Sequence, residues 1–158
     1  MFIKPDYNLK NIYEINFDEL KEQGIKCVML DLDSTVMQSK SATFTPETIE
    51  WFNTFIKDFE VAIISNNTKN DYINQASKTA PCRVIGSAKK PNPKVAKKYL
   101  DEIGIKPSEA VMVGDRPLTD ILVGKFLGCK TILVGSINPK ENLPTKLVRA
   151  LERSTIRS

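Results

Sequence analysis

Apolar residues along this chain fall into two alternating patterns. Short unbroken runs, four residues at most, recur at regular intervals, and between them apolar residues return every three or four positions. "KCVMLDL" (26–32) is the first run, and it lacks the in–out alternation of a half-exposed strand. It reads as a strand buried on both faces. "EVAIIS" (60–65), "AVMVGD" (110–115) and "KTILVG" (130–135) read the same way, and "CRVIG" (82–86) is a weaker strand. The intervals predict helices. Thr45 and Pro46 give a start signal for Pro46–Asp58, with Ile49, Phe52, Phe55 and Ile56 at helical spacing. Residues 68–79 place Tyr72, Ile73 and Ala76 on one face. Residues 93–104 and 117–128 complete the set, ending at Gly104 and Gly128.

Strands alternating with helices predict an α/β fold, a doubly wound parallel sheet of Rossmann-like form with helices on both faces. Right-handed crossovers bring the carboxyl ends of the strands to one edge, where such sheets bind ligands. Each predicted strand meets polar residues there: Asp31 and Asp33, then Ser65, Asn66 and Asn67, then Lys89 and Lys90, then Asp115. The expectation is one domain over 1–158, with a core at about 24–136 and N- and C-terminal appendages packed on it.

Composition narrows the chemistry. Apolar residues make up 41% and charged residues 27% of the 158 positions, so a globular core is affordable within one domain. There is no histidine, which removes Ser-His-Asp and Cys-His catalysis and histidine-based zinc sites. Cys27, Cys82 and Cys129 lie far apart and form no C-x-x-C pair; small buried thiols are expected. A net charge of +4 is too mild to call for nucleic acid, and none is expected as a partner. The start, "MFIKPDYNLK", has no apolar core of a signal peptide, and no run is long enough to span a bilayer, so a cytoplasmic protein is expected.

The candidate chemistry sits in Asp31 and its neighbours. A lone acid at a strand end reads equally well as a turn residue. A calcium loop is excluded, because Val36 and Ala42 stand where its glycine and glutamate belong. In "VGDRPLTDI", Asp115 ends a second buried run and Asp120 follows five residues later. Acids gathered at one edge make a hard oxygen site that suits Mg²⁺; the preference over Mn²⁺ rests only on hardness and availability. Asp120 also reads as an acid in the first turn of a helix, favoured by the dipole. Ser65 can donate to a phosphate oxygen, and Lys90, held before Pro91, can offer a fixed positive charge; Lys89 is its rival.

"DLDST", "ISNNT", "AKKPNP" and "VGDRPLTD", in that order over residues 31–120, resemble the four motifs of the haloacid dehalogenase (HAD) superfamily. The D-x-D-x-T form resembles that of its phosphatases. The resemblance is closer still to the YqeG-type members of subfamily IIIA, and reaches "IYEINFDELKEQGIK" and "PTKLVRALERSTIRS" near the termini. Ser34 departs from that pattern, where related sequences usually carry Asn.

The resemblance implies roles for these residues. Asp31 is the nucleophile that forms an aspartyl phosphate, and Asp33 the general acid and base. Thr35, Ser65, Asn66 and Lys90 bind the substrate phosphate. Asp31, Asp33 (through its carbonyl), Asp115 and Asp120 hold Mg²⁺. The YqeG-type likeness further implies phosphatidylglycerophosphate as substrate, with soluble phosphate esters or phosphoproteins as the alternative.

Only 31 residues separate Asp33 from Ser65 and 24 separate Ser65 from Lys90, each gap filled by core elements. No cap domain fits, and an open site suits a phosphate presented on something large, such as a lipid headgroup. In "NLPTKLVRALERSTIRS", Lys146, Arg149, Arg153 and Arg157 form a basic stripe. It reads either as the solvated face of a terminal helix or as a peripheral contact with the inner face of the membrane. Two other classes remain open at this point. A phospho-accepting signalling module shares the sheet, but its acceptor lies on a later strand. An idle scaffold is hard to square with a full set of catalytic side chains.

Overall fold

The central strand of the sheet, β2 (Cys27–Leu30), is entirely buried. The computed structural model describes residues 3–137. Along the chain, β1 (Tyr7–Asn8), α1 (Phe17–Glu22), β2, α2 (Pro46–Asn53), β3 (Glu60–Ile64), α3 (Asn70–Thr79), β4 (Arg83–Ile85), α4 (Lys94–Ile103), β5 (Ala110–Gly114), α5 (Leu122–Leu127) and β6 (Lys130–Leu133) follow one another. The sheet has six strands in the order β1-β6-β5-β2-β3-β4, every pair parallel. The expected doubly wound architecture is present. The chain moves outward from β2 through β3 and β4, then returns to β5 on the other side. The strand order therefore reverses between β2 and β5, which is where open sheets of this kind form their ligand crevice.

The unbroken apolar runs are explained by two separate cores. Val28, Leu30, Val61, Ile63, Val111 and Val113 face a cluster that includes Trp51, Phe52 and Phe55 of the α2 segment and Ala76 of α3. Cys27, Met29, Ala62, Ile64, Ala110 and Met112 face the opposite cluster, with Ala96, Tyr99 and Leu100 of α4 and Val123 of α5. Alternate residues of each strand thus serve opposite faces. Full burial of each such side chain contributes about 1.5–3 kcal/mol.

Local signals behave as read. The Thr45 hydroxyl accepts from the Thr48 amide at 3.2 Å, with Pro46 in the first turn of α2. Gly104 and Gly128 close α4 and α5 in left-handed conformations, at φ +71° and +85°. Cys27 and Cys129 are buried and Cys82 half-buried, all three as free thiols that burial pushes up to about 12.

Three features differ from expectation. The helix over Pro46–Asp58 ends at Asn53 and continues as turns. The helix over 117–128 opens as a π-helical turn, Pro117–Ile121, before α5 begins. The N-terminal stretch is more than an appendage: β1 pairs with β6 as an edge strand, and Ile12, Ile15 and Leu20 join the core. Among the described residues no extra domain interrupts the segments between β2 and β3 or between β3 and α4.

Candidate active site

β2 and β5 run in register, Leu30 beside Val113, so both chains leave the sheet at the same level. Asp31 follows the first strand and Asp115 the second. Asp120 arrives from the π-turn. Its amide and that of Thr119 both point to the Arg116 carbonyl, at 2.9 and 3.4 Å. The turn folds Asp120 back over the end of β5, where it rests on Gly114. A Cβ on Gly114 would lie 2.2 Å from the Asp120 carboxyl carbon, so only glycine allows this approach. Carboxylate oxygens of Asp31, Asp115 and Asp120 come within 4.8 Å of one another.

Lys90 is placed among them. Its Nζ donates to Asp31 Oδ1 and to Asp120 Oδ1, both at 2.7 Å, and its side chain is 2% exposed. Lys89, its rival in the sequence, is exposed. Burial alone would lower the Lys90 pKa; the charges of Asp120 and Asp31 outweigh it and hold the ammonium above its usual range. Asp120 is pushed up to about 6, chiefly by burial and then by the charge of Asp31, against the pull of Lys90. The three carboxylates gather in a buried, oxygen-lined space, with the Lys90 ammonium bridging two of them. A divalent cation with a preference for carboxylate oxygen fits that donor set.

The remaining predicted residues surround this group. The Thr35 hydroxyl is fully buried and donates to Asp115 Oδ1 at 3.1 Å. Asp33 is half-buried, and Tyr72 of α3 donates its hydroxyl to Asp33 Oδ1 at 2.5 Å, with the Lys40 amide on the same oxygen at 3.3 Å. Burial raises the Asp33 pKa above the ordinary carboxylate value, and these two hydrogen bonds only partly offset it. Ser65 is buried at the end of β3, and its hydroxyl accepts from the Asn67 amide at 3.1 Å.

The Asn66 side chain is hydrogen-bonded to the backbone of Lys90. Its Oδ1 accepts from the Lys90 amide at 2.7 Å and its Nδ2 donates to the Lys90 carbonyl at 3.0 Å. It clamps the backbone that carries the lysine. The sequence pattern had assigned neither this clamp nor the Tyr72 hydroxyl. The only signal for Tyr72 was its position on the apolar face of α3, which suggested packing.

The loops themselves are unusual. Among the described residues, the non-glycine positions with positive φ are Ser34, Lys40, Ala42, Ser87 and Lys89. All lie in the segments that carry Asp33 and Lys90. Strained backbone collects where function fixes it. Ser34 stands at φ +67°, a conformation that asparagine tolerates better than serine.

The family model described as mitochondrial PGP phosphatase matches residues 1–137. The chain belongs to that family. It is similar to the probable phosphatase YqeG of Bacillus subtilis (strain 168), 33% identical over 153 residues, covering 96% of this chain and 88% of the relative. It is 28% identical to phosphatidylglycerophosphate phosphatase 1, chloroplastic/mitochondrial, of Arabidopsis thaliana, covering 99% of this chain and 48% of that protein. A HAD family enzyme of Bacteroides thetaiotaomicron, solved as a magnesium complex, superposes with a TM-score of 0.56 at 12% identity, over 78% of this chain and 98% of that one. The fold is thus that of the HAD enzymes, and the chain is a phosphatase, a hydrolase of phosphoric monoesters.

Proposed function

We propose that this phosphatase hydrolyses phosphatidylglycerophosphate, with Asp31 as nucleophile and Mg²⁺ as cofactor. The family match over residues 1–137 carries the substrate reading, and the Asp31–Lys90–Asp120–Asp115 group carries the chemistry. One domain over 1–158 is part of this reading.

Asp31 is the least enclosed of the three clustered acids, its side chain 14% exposed while Asp115 and Asp120 are buried. Its carboxylate attacks phosphorus, forming an acyl phosphate as the bond to the leaving oxygen breaks. Asp33, its pKa raised by burial, holds a proton and gives it to that oxygen. In the second step Asp33 takes a proton from water, water attacks phosphorus, and phosphate leaves Asp31 regenerated. The chain has no histidine to carry this proton. Lys90, Thr35 and Ser65 stabilise charge on the phosphoryl oxygens. Asn66 supports the reading by fixing the backbone of Lys90, and its own contact with the phosphate is part of the proposal. Asp31, the Asp33 carbonyl, Asp115 and Asp120 would hold Mg²⁺, which supplies Lewis-acid neutralisation of the phosphate charge. The single Thr35 hydroxyl proton lies on Asp115 in this structure, so its contact with the phosphate requires it to turn from that carboxylate.

The open edge, with no domain over it among the described residues, suits a phosphate on a lipid headgroup. No described helix is long and apolar enough to cross a membrane, so access to such a substrate is peripheral in this reading. The basic stripe of Lys146, Arg149, Arg153 and Arg157 lies outside the described residues. The test is phosphate release with Mg²⁺ from phosphatidylglycerophosphate in mixed micelles, beside a panel of soluble phosphate esters. Asp31→Asn and EDTA serve as controls. A strong preference for the lipid is expected. Equal slow turnover of every ester would leave the phosphatase and overturn the substrate.

A further inference from the structure

Three large apolar side chains among the described residues are well exposed: Tyr13, Leu118 and Phe126. Tyr13 lies edge-on to Trp51 near the N-terminus. Leu118 and Phe126 belong together. They lie on the continuous π-turn and α5, with half-buried Leu122 midway between them. Spacing of four residues places all three along one face. Leu118 is 41% and Phe126 60% exposed.

The position of this ridge gives it meaning. Leu118 sits in the π-turn that carries Asp120, so one end of the ridge lies two residues along the chain from an acid of the site. At the other end Phe126 and Leu127 line a groove with Asn92, Pro93, Lys94 and Lys97 from the start of α4. That lining contains two lysines and no acid. Lys97 pairs with Asp101 one turn along its own helix, while Lys94 is exposed. Lys125 projects beside the ridge, 3.7 Å from Asp6.

A single exposed leucine needs no explanation. A row of apolar side chains that starts in the turn carrying a site acid and is bordered by lysines has the chemistry of a peripheral lipid contact. Apolar side chains enter the headgroup boundary and ammonium groups meet anionic headgroups. We infer that the Leu118–Leu122–Phe126 ridge, with Lys94 and Lys97, docks on an anionic lipid surface and so brings the active-site edge to a headgroup phosphate. The inference rests on the lipid-substrate reading above. Charge complementarity decides the occupant: a second copy of this chain would bring the same lysines to the contact, where like charge opposes it.

The test is sedimentation of the full chain with vesicles of phosphatidylcholine, alone or with phosphatidylglycerol at roughly one-fifth of the lipid. The wild type is expected to bind only the anionic vesicles. Phe126→Ser should weaken binding about tenfold. The pair Lys94→Gln and Lys97→Gln should weaken it by about fivefold per lysine, an effect that salt mimics. Phe126→Ser should hydrolyse a soluble aryl phosphate at the wild-type rate, since this exposed residue lies outside the catalytic group. Failure of the wild type to bind anionic vesicles overturns the inference. So does undiminished binding by both variants, or a change of oligomeric state in Phe126→Ser without loss of vesicle binding. The two readings fail separately. If micellar phosphatidylglycerophosphate is not hydrolysed but vesicle binding depends on Phe126, the docking surface stands and the substrate reading falls. If hydrolysis proceeds while binding ignores both variants, the surface falls alone.

Discussion

Lys90 is a buried ammonium shared by two carboxylates, so its removal and its neutralisation are the same experiment. Lys90→Met leaves Asp31 and Asp120 facing each other without a counter-charge. Breaking a buried pair in this way costs about 3–5 kcal/mol, and chemical denaturation of the metal-free chain should register a loss of that order. Retention of wild-type stability would mean that the three charges are not coupled. Asp33 makes a separate prediction. Asp33→Asn should slow hydrolysis of an alkyl phosphate by about 10²–10⁴-fold, and of an ester with a good leaving group by much less. An equal loss on both esters would remove Asp33 as the general acid.

The same residue gives a pH signature. A carboxyl whose folded-state pKa is raised binds its proton more tightly folded than unfolded. Its ionised form therefore costs stability once pH rises above the unfolded value, and the cost is absent below it. Asp33→Asn should raise the melting temperature at neutral pH, and the gain should vanish below about pH 4. At this scale the sequence was informative wherever a side chain followed directly from a strand end. Asp31, Ser65 and Asp115 stand directly after strand ends, whereas Asp33 and Lys90 lie three and five residues beyond Leu30 and Ile85 and were singled out by the motifs around them. Asn66 and Tyr72 were not assigned their contacts, because those partners lie 24 and 39 residues away and only the folded chain brings them together.

At the scale of elements, the π-turn Pro117–Ile121 decides where Asp120 goes. An α-helical start would aim that residue differently, and π-turns are often found at functional sites. Gly114 on β5 is the surface on which the turn rests. Gly114→Ala puts a methyl group into the Asp120 side chain. The substitution should raise the Mg²⁺ concentration needed for half-maximal activity while far-ultraviolet circular dichroism stays unchanged. Unaltered Mg²⁺ dependence would show that Asp120 does not need this seat. The apolar spacing of 117–128 suits a π-turn followed by α-helix as well as one regular helix, so the sequence could not separate them. β1 was hidden for another reason: two residues are too few to show a pattern, and its strand character comes from pairing with β6. The long central strands were legible because burial on both faces demands uninterrupted apolar runs.

On the scale of the whole molecule, the reversal of strand order between β2 and β5 gathers residues from 31 to 120 at one edge. A carboxylate cluster that can hold a metal ion predicts linkage between metal and fold. Mg²⁺ at about 100 times its Kd should stabilise the chain by about 2.7 kcal/mol, read as a higher melting temperature, and Asp115→Asn should abolish the gain. An equal rise in both proteins would locate the ion elsewhere. The central claim is that Asp31 carries the phosphoryl group between the two steps. The most direct measurement is acid quenching during turnover of phosphatidylglycerophosphate, followed by mass spectrometry of the peptide that contains Asp31. A phosphoryl group on Asp31 in the wild type, absent from an inactive Asp31→Asn variant, is the predicted result. Full turnover by Asp31→Asn, with no trapped phosphoryl group on this peptide, would contradict it.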